Sequence, residues 1–275
     1  MIFNKLNYST IINNSNKVFK IIKRMSTTST IKINGNDVPL TIIPNDISVE
    51  TVMGAPNFNK WIKNMELEKE LKVNSVSIQS VDMFGKNVGF LKFKADVVTV
   101  KEGRVVPGII FCRGGSVAIL VILKSKETGK EYSVLTVQTR VPVASFQYSE
   151  IPAGMLDGSG HFVGVAAKEL KEETGLEVSE DKLVDLTKLA YGSEVDGVYP
   201  SPGGCDEFIR LFLFRETLDQ NKIDELQHKL TGCLDENESI TLNIVPLEDL
   251  WKKSHDGKTL SALYLYEKLL KENKL

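Results

Sequence analysis

Three glutamates within five residues are the part of this sequence best suited to chemistry. Glu172 and Glu173 follow Glu169 by three and four residues, so on a helix all three carboxylates lie on one face. Like charges at this spacing repel one another. A divalent cation such as Mg²⁺ or Mn²⁺ relieves that repulsion, because both ions prefer hard carboxylate oxygens. The alternative is a solvated acidic helix face that Lys168 and Lys171 partly neutralise, and the spacing alone leaves both interpretations open.

The residues around the glutamates favour the metal site. The stretch from Gly154 to Leu176 resembles the signature of the Nudix hydrolase family, G-x5-E-x7-R-E-U-x-E-E-x-G-U, where U is a bulky aliphatic residue. The positions that match in register are Gly154, Glu169, Leu170, Glu172, Glu173, Gly175 and Leu176. Two positions depart from the signature. Its early glutamate is Gly160 here, and its arginine is Lys168, which keeps the charge but loses the bidentate fork.

Further segments extend the resemblance toward Nudix enzymes that act on ADP-sugars. Glu150–Gly154 is similar to their E-x-P-A-G motif, and Ser201–Gly204 to the S-P-G element that follows the signature. An acidic loop, Asp235–Glu238, precedes a predicted strand. Three more segments resemble plant-type ADP-sugar diphosphatases: Val81–Lys86, Gly89–Asp96 and Gly203–Glu207. Together the similar segments extend over roughly residues 50–270.

The resemblance implies a role for each matching residue. The metal ligands it implies are Glu169 and Glu173, with Glu172 as a further ligand or support, the carbonyl of Ala153, and Glu238 from the acidic loop. Glu236 is a candidate for the general base and Glu238 is its rival. Arg140 would hold the diphosphate of the substrate, and Glu150 is assigned to the same substrate site.

The function implied is the metal-dependent hydrolysis of an ADP-sugar, ADP-glucose or ADP-ribose, to AMP and a sugar 1-phosphate. The implied cofactor is Mg²⁺, with Mn²⁺ as an alternative. Two other functions remain open: a catalytically weak Nudix module that binds a nucleotide-sugar as a sensor, and a Nudix pyrophosphatase for another dinucleotide such as NADH. Only Gly160 and Lys168 support the sensor, because a pure binding protein gains little from three adjacent anions.

The elements that position these residues predict an α+β protein. Strands and helices are mixed without a regular βαβ alternation, and the resemblance implies the Nudix fold, a mixed sheet sandwiched between helices. The predicted strands are 76–83, 88–100, 109–112, 116–123, 132–138, 208–214 and 240–245, and the predicted helices are 57–71, 162–174, 223–230, 247–253 and 260–272. Residues 109–275 are expected to form the Nudix domain. Residues 37–108 are expected to form a smaller β-containing domain that shapes the substrate site and a homodimer.

Composition excludes several classes of protein. The 275 residues include 34 Lys and Arg against 36 Asp and Glu, so nothing favours binding to nucleic acid. The longest apolar run, 117–123, is far shorter than the roughly 20 residues of a membrane-spanning helix. The three cysteines are widely separated and are expected to be free thiols. Composition therefore predicts neither a nucleic-acid nor a membrane partner, and the expected partner is the small nucleotide-sugar that the resemblance implies.

The first 36 residues differ from the rest of the chain. They contain six basic residues and no acid, and they are rich in Ser, Thr and Asn. This composition is typical of an organelle transit peptide, and it is equally compatible with a disordered extension in which Met25 is an alternative start. Residues 1–36 are expected to lie outside the fold. The protein would be cytoplasmic, or mitochondrial or otherwise organellar if this segment is an address.

One short motif resembles a nucleotide-binding loop only in part. Gly257-Lys258-Thr259 has the ending of a phosphate-binding P-loop, but Lys252 stands where that motif needs its first glycine. The sequence therefore does not predict a P-loop.

Overall fold

The computed structural model describes residues 26–156, 160–232 and 239–275. The chain divides into two compact units, the first ending at Arg113 and the second running from Gly114 to Leu275. Among the described residues, no helix has both the length and the apolar character needed to cross a membrane.

Unit 1 is a six-stranded mixed sheet with two helices. Its elements are β1 (Thr27–Ile33), β2 (Asn36–Ile42), α1 (Val49–Met53), α2 (Pro56–Leu67), β3 (Leu71–Phe84), β4 (Asn87–Thr99), β5 (Val105–Val106) and β6 (Ile109–Cys112). The sheet order is β1-β2-β3-β4-β5, and β6 also pairs with β4. Only the β2–β3 pair is parallel.

The core of unit 1 forms where α2 covers the sheet. Phe58 and Trp61 of α2 pack on Phe93 of β4, with ring centroids 5.3 and 4.9 Å apart. A second group of rings in this unit remains partly exposed: Phe84 contacts Phe90, and Phe90 contacts Phe111. We call these three residues the aromatic strip.

Unit 2 is an eight-stranded sheet with helices packed on both faces. Its elements are β7 (Ser116–Ser125), β8 (Glu131–Arg140), β9 (Ser145–Glu150), β10 (Ala153–Met155), α3 (Phe162–Thr174), β11 (Leu183–Asp185), α4 (Leu186–Tyr191), β12 (Ile209–Leu218), α5 (Gln220–Asp224), β13 (Leu230–Thr231), β14 (Ile240–Pro246), α6 (Leu250–Lys253) and α7 (Gly257–Lys271). The order is β11-β12-β7-β8-β14-β13, with β10 paired to β7 and β9 to β8. Only the β7–β12 pair is parallel, over ten residues of each strand.

Strand β7 explains why this sheet is covered on both sides. Its side chains alternate between the faces: Leu120 packs in the cluster that contains α7, whereas Ile119 and Val121 pack in the cluster that contains α3. A strand buried on both faces is expected to be a continuous apolar run, and β7 is such a run. The helix with the glutamates and the C-terminal helix therefore lie on opposite faces of the sheet.

Two predicted boundaries need correction. Residues 1–36 were expected to lie outside the fold, but Thr27–Ile33 forms β1, in which Ile31 and Ile33 are buried. The division between the units follows Arg113 rather than residue 108, because β6 pairs with β4 of unit 1.

Two predicted helices also differ from the structure. The prediction 57–71 extends too far, since α2 ends at Leu67 and Leu71 begins β3. The predicted helix 223–230 is wrong beyond Asp224. His228 has a left-handed φ of 61°, and its N–H donates to the carbonyl of Leu242, so the chain leaves the helix and approaches β14.

Candidate active site

Helix α3 carries the three glutamates, and its apolar side fixes its orientation. Val165, Ala166 and Leu170 are buried against the sheet. The helix ends at Gly175, whose φ of 74° lies in the left-handed region and whose N–H donates to the carbonyl of Lys171. This anchoring determines where the carboxylates at positions 169, 172 and 173 point.

Glu169 reaches the backbone at Gly154. A Cβ atom added to Gly154 would lie 1.9 Å from the carboxyl carbon of Glu169. Any larger residue at position 154 would therefore displace that carboxylate. The first glycine of the signature is required here by a close approach between β10 and α3.

Glu173 reaches the neighbouring residue of the same strand. Its Oε2 accepts a hydrogen bond of 2.9 Å from the N–H of Ala153, and the residue is only 2% exposed. Glu169 and Glu173 thus converge on Ala153 and Gly154, which we call the glutamate turn. The predicted ligands Glu169, Glu173 and Ala153 are brought together.

Glu172 is in a different environment. Its side chain is 40% exposed and lies 3.6 Å from Nζ of Lys168, one turn earlier. Lys168, which replaces the arginine of the signature, therefore contacts a glutamate of the set. The other departure, Gly160, has a φ of 75°, a conformation that glutamate adopts only with strain.

Arg140 and Glu150 form an ion pair. Nε of Arg140 lies 2.6 Å from Oε1 of Glu150, and Glu150 is 2% exposed while Arg140 is 40% exposed. The other oxygen of Glu150 contacts Nζ of Lys258, which is 12% exposed and also lies 3.1 Å from Oδ1 of Asp256. Arg140 and Lys258 therefore both contact the buried carboxylate of Glu150. The sequence predicted Arg140 as a site residue but not Lys258.

The start of α7 is fastened to the same strand end. Asp256 caps the helix by accepting hydrogen bonds from the N–H and hydroxyl of Thr259. The Thr259 hydroxyl oxygen accepts a bond of 3.1 Å from the N–H of Ile151. Gly257-Lys258-Thr259, the string that does not predict a P-loop, thus belongs to the segment that fixes the backbone between Glu150 and the glutamate turn. The only sequence signal was the Gly-Lys-Thr string itself.

Two further polar side chains lie near this ion pair. Burial, and the carboxylates of Asp256 and Glu150, raise the pKa of the Tyr148 phenol, which therefore remains a neutral donor. Gln138 pairs with Tyr148 across the two strands and is 8% exposed. Its Nε2 has no hydrogen-bond partner within the described residues.

The chain that leads toward the acidic loop contacts helix α3. Glu236 and Glu238 lie outside the described residues. The residues before the loop contact α3: the hydroxyl of Thr231 donates to the carbonyl of Glu173, and the N–H of Gly232 donates to that of Glu172 at 3.2 Å. The chain therefore enters the acidic loop from the C-terminal turn of the glutamate helix.

The glutamate turn offers the right type of donor for a divalent cation. Within residues 26–156, 160–232 and 239–275, no group of three or more His, Cys, Asp or Glu side chains is arranged to hold a metal ion. Two carboxylates nevertheless converge where Gly154 leaves room for them, and carboxylate oxygens are the ligands that Mg²⁺ prefers. The donor set fits such an ion if Glu172 or the acidic loop completes it.

Two other features contribute none of the contacts described above. Ser201 begins a tight turn, its carbonyl accepting from the N–H groups of Gly204 and Cys205. A surface cavity of about 390 Å³ lies between α4 and α7. It is lined by Tyr191, Val198, Leu260, Ser261, Tyr264 and Leu265. The lining contains no Asp, Glu, His, Lys or Arg, so the carboxylates are the better guide to the chemistry.

Comparison with known proteins gives a consistent result. The NUDIX domain model matches residues 113–264. Nudix hydrolase 14, chloroplastic, from Arabidopsis thaliana is 43% identical over 222 residues, which are 78% of this chain and 71% of that protein. The ADP-ribose pyrophosphatase of Bacillus subtilis (strain 168) is 31% identical over 154 residues, or 54% of this chain and 70% of that protein.

A solved structure supports the same fold. The crystal structure of an ADP compounds hydrolase superposes with a TM-score of 0.52 at 16% identity, covering 74% of this chain and 96% of that one. The predicted α+β Nudix fold is thereby confirmed. With the domain match over more than half of the sequence and a long, closely similar relative, the chain belongs to the Nudix hydrolase family.

Proposed function

We propose that this protein hydrolyses the diphosphate bond of an ADP-sugar in a divalent-metal-dependent reaction, releasing AMP and a sugar phosphate. The observation that carries the proposal is the convergence of Glu169 and Glu173 on the glutamate turn. The ADP-ribose pyrophosphatase and ADP compounds hydrolase among its relatives support the substrate class.

Different residues of the chain are proposed to bind the cation and to accept the proton. Glu169 and Glu173 would hold the cation with the Ala153 carbonyl, and Glu172 or Glu238 would complete the set. A bound Mg²⁺ supplies neutralisation of the diphosphate oxygens and polarises the P–O bonds. Glu236 or Glu238 would accept a proton from the attacking water.

Arg140 is the proposed contact for the diphosphate. Its Nε is committed to Glu150, while its side chain is 40% exposed. That geometry leaves its terminal nitrogens able to donate to a phosphate.

A panel assay tests this function. The full-length protein is incubated with ADP-ribose, ADP-glucose, ADP-mannose, NADH and ATP, with Mg²⁺ or with EDTA, and released AMP is quantified by chromatography. We expect AMP from an ADP-sugar only with metal, and a kcat/KM for ATP at least ~10-fold lower, equal to a gap of ~1.4 kcal/mol. Faster cleavage of ATP than of every ADP-sugar would overturn the substrate assignment.

The same panel addresses the two alternatives. A sensor module would bind an ADP-sugar without releasing AMP, and a dinucleotide pyrophosphatase would prefer NADH. The contact between Lys168 and Glu172 argues against the sensor, because the substituted residue still supports a glutamate of the set.

Unit 1 is proposed to mediate a homodimer. The partly exposed aromatic strip on β3, β4 and β6 supports this, since clustered exposed rings mark interaction surfaces. Sedimentation of the wild type and of a Phe84→Ser, Phe111→Ser variant tests it. A wild-type mass of one chain would contradict the dimer.

We also propose that the basic N-terminal segment is an organelle address that ends before β1. The chloroplastic relative and the acid-free composition support it. A reporter fused to residues 1–26 should localise to an organelle, and a diffuse cytosolic signal would contradict the address. A chain starting at Ser26 should keep its activity, whereas one starting at Asp37 should lose stability because β1 is removed.

A further inference from the structure

We infer that Lys258 is a positioning residue of the active site, which acts on the substrate through Glu150 and Arg140. The inference rests on the proposed function and concerns a residue outside the Nudix signature. Lys258 lies 108 residues from Glu150 in the sequence, yet its ammonium group contacts the Glu150 carboxylate directly.

The contacts place Lys258 behind Arg140 rather than beside the substrate. Glu150 accepts from Arg140 through Oε1 and from Lys258 through Oε2, so its two oxygens have separate cationic partners. Lys258 is 12% exposed against 40% for Arg140. The lysine therefore has little surface to offer a ligand, and its effect must pass through the carboxylate.

The charge balance explains what Lys258 does for Arg140. Arg140, Glu150, Lys258 and Asp256 form a group with two positive and two negative charges. Without Lys258 the group becomes net negative, and Glu150 is left buried with one cation. Arg140 must then neutralise Glu150 alone, and it attracts the diphosphate less.

The backbone contact adds a second effect. Thr259, the next residue, accepts from the N–H of Ile151, which lies between Glu150 and the glutamate turn. Lys258 and Thr259 together fix residues 150–154, the segment that contains Glu150 and the glutamate turn. A shift of this segment would first move Glu150 and Arg140 and so weaken substrate binding. The position of Glu173 would change less, because its carboxylate has its own hydrogen bond to the N–H of Ala153.

A double-mutant cycle tests the inference. KM and kcat for ADP-ribose are measured for the wild type, Lys258→Met, Glu150→Gln and the double variant. We expect Lys258→Met to raise KM by ~10-fold with kcat changed less than ~3-fold, as for a lost charge-assisted contact. In the Glu150→Gln background, where the buried anion is gone, the same substitution should change KM by less than ~2-fold.

Two matched variants separate positioning from general stability. Lys252→Met deletes an exposed lysine that pairs with Asp249 at 2.9 Å on the preceding helix, and it should leave KM unchanged. Lys258→Arg keeps the charge and should keep KM within ~3-fold of the wild type. A purely structural lysine would lower the melting temperature of Lys258→Met equally in both Glu150 backgrounds, with no selective change in KM.

Failure of the proposed function and failure of the role of Lys258 give different results. If the wild type releases no AMP from any ADP-sugar, the proposed function fails. The cycle is then read from the Kd of ADP in EDTA by calorimetry, with the same ~10-fold expectation. Equal KM or Kd in the wild type and Lys258→Met, or an equal rise in both Glu150 backgrounds, would overturn the role of Lys258. If Lys258→Met does not fold, Lys258→Gln replaces it in both Glu150 backgrounds, with the same expected changes in KM and the same outcomes that would overturn the role.

Discussion

Glu150 and Glu173 are equally buried, at 2% exposed, but different groups of the protein hold their carboxylates in place. Glu150 is held by the side-chain cations of Arg140 and Lys258. The Glu173 carboxylate accepts a hydrogen bond from the backbone N–H of Ala153, which lies three residues after Glu150 in the sequence. A hydrogen bond from the backbone therefore fixes the direction of the Glu173 carboxylate, whereas two ion pairs fix that of Glu150.

The difference indicates two uses for a buried carboxylate. The charge of Glu150 is balanced within the protein, so Glu150 is suited to hold another side chain in place. Glu173 is oriented on the glutamate turn beside Glu169, a placement suited to an external cation. The comparison predicts that Glu173 acts mainly on turnover and that Glu150 acts mainly on substrate binding.

The largest expected effect is that of Glu173→Gln. Gln keeps the volume and an acceptor for the Ala153 N–H but removes the anionic charge, so kcat should fall by at least ~10². The free energy of unfolding, measured with urea, should change by less than ~1 kcal/mol. More than half of the wild-type activity at saturating Mg²⁺ would exclude Glu173 from the site.

Gly154→Ala should displace Glu169 with little cost to folding. The new methyl group would overlap the Glu169 carboxylate, which is the movable end of a flexible side chain. We expect kcat/KM to fall by ~10- to 100-fold, and unfolding to change by less than ~1.5 kcal/mol. Wild-type activity in Gly154→Ala would refute the close approach as a functional constraint.

Arg140→Ala tests the prediction that Glu150 and its partners act mainly on substrate binding. It removes the proposed diphosphate contact and leaves Glu150 with Lys258 alone, so kcat/KM should fall more than ~10-fold, mainly through KM. Lys126→Ala deletes an exposed pair with Asp219 and should have no effect. A decrease confined to kcat would show that Arg140 acts on the reacting group rather than on binding.

The smallest expected effect is at Lys168. Its contact with Glu172 is long, at 3.6 Å, and its side chain is 69% exposed, so Lys168→Ala should weaken the apparent Mg²⁺ affinity only ~2- to 5-fold. Lys168→Arg should be neutral or slightly improved. Lys171→Ala on the same helix, whose partner is Glu177, is the control. Identical Mg²⁺ dependence in all of these proteins would leave Lys168 without a mechanistic role.

The glutamate helix was predictable because its signals are local. Its 3.6-residue periodicity, its terminating Gly175 and the spacing of the glutamates all occur within one short segment. The helix prediction 162–174 agrees with α3. The close approach of Glu169 to Gly154 was contained in the signature only as a glycine, without its physical reason.

The missed features depend on contacts between distant parts of the sequence. Nothing near Lys258 reveals that Glu150 is its partner, because only the packing of α7 against the sheet brings them together. Strand β1 was missed because its polar first half obscures the alternation at Ile31 and Ile33, which becomes clear only once the pairing with β2 is known.

The parallel pairing of β7 with β12 has a consequence for synthesis in the cell. Partners in this pair are 93 residues apart, and both the glutamate turn and α3 lie in the sequence between them. At a ribosomal rate of ~5–20 residues per second, β7 is complete for roughly 5–20 s before β12 has been made. During that interval a strand that is apolar on both faces lacks its parallel neighbour, and such strands readily pair with other chains. The strand that lies at the centre of the finished sheet is therefore, during synthesis, an apolar strand with one unpaired edge.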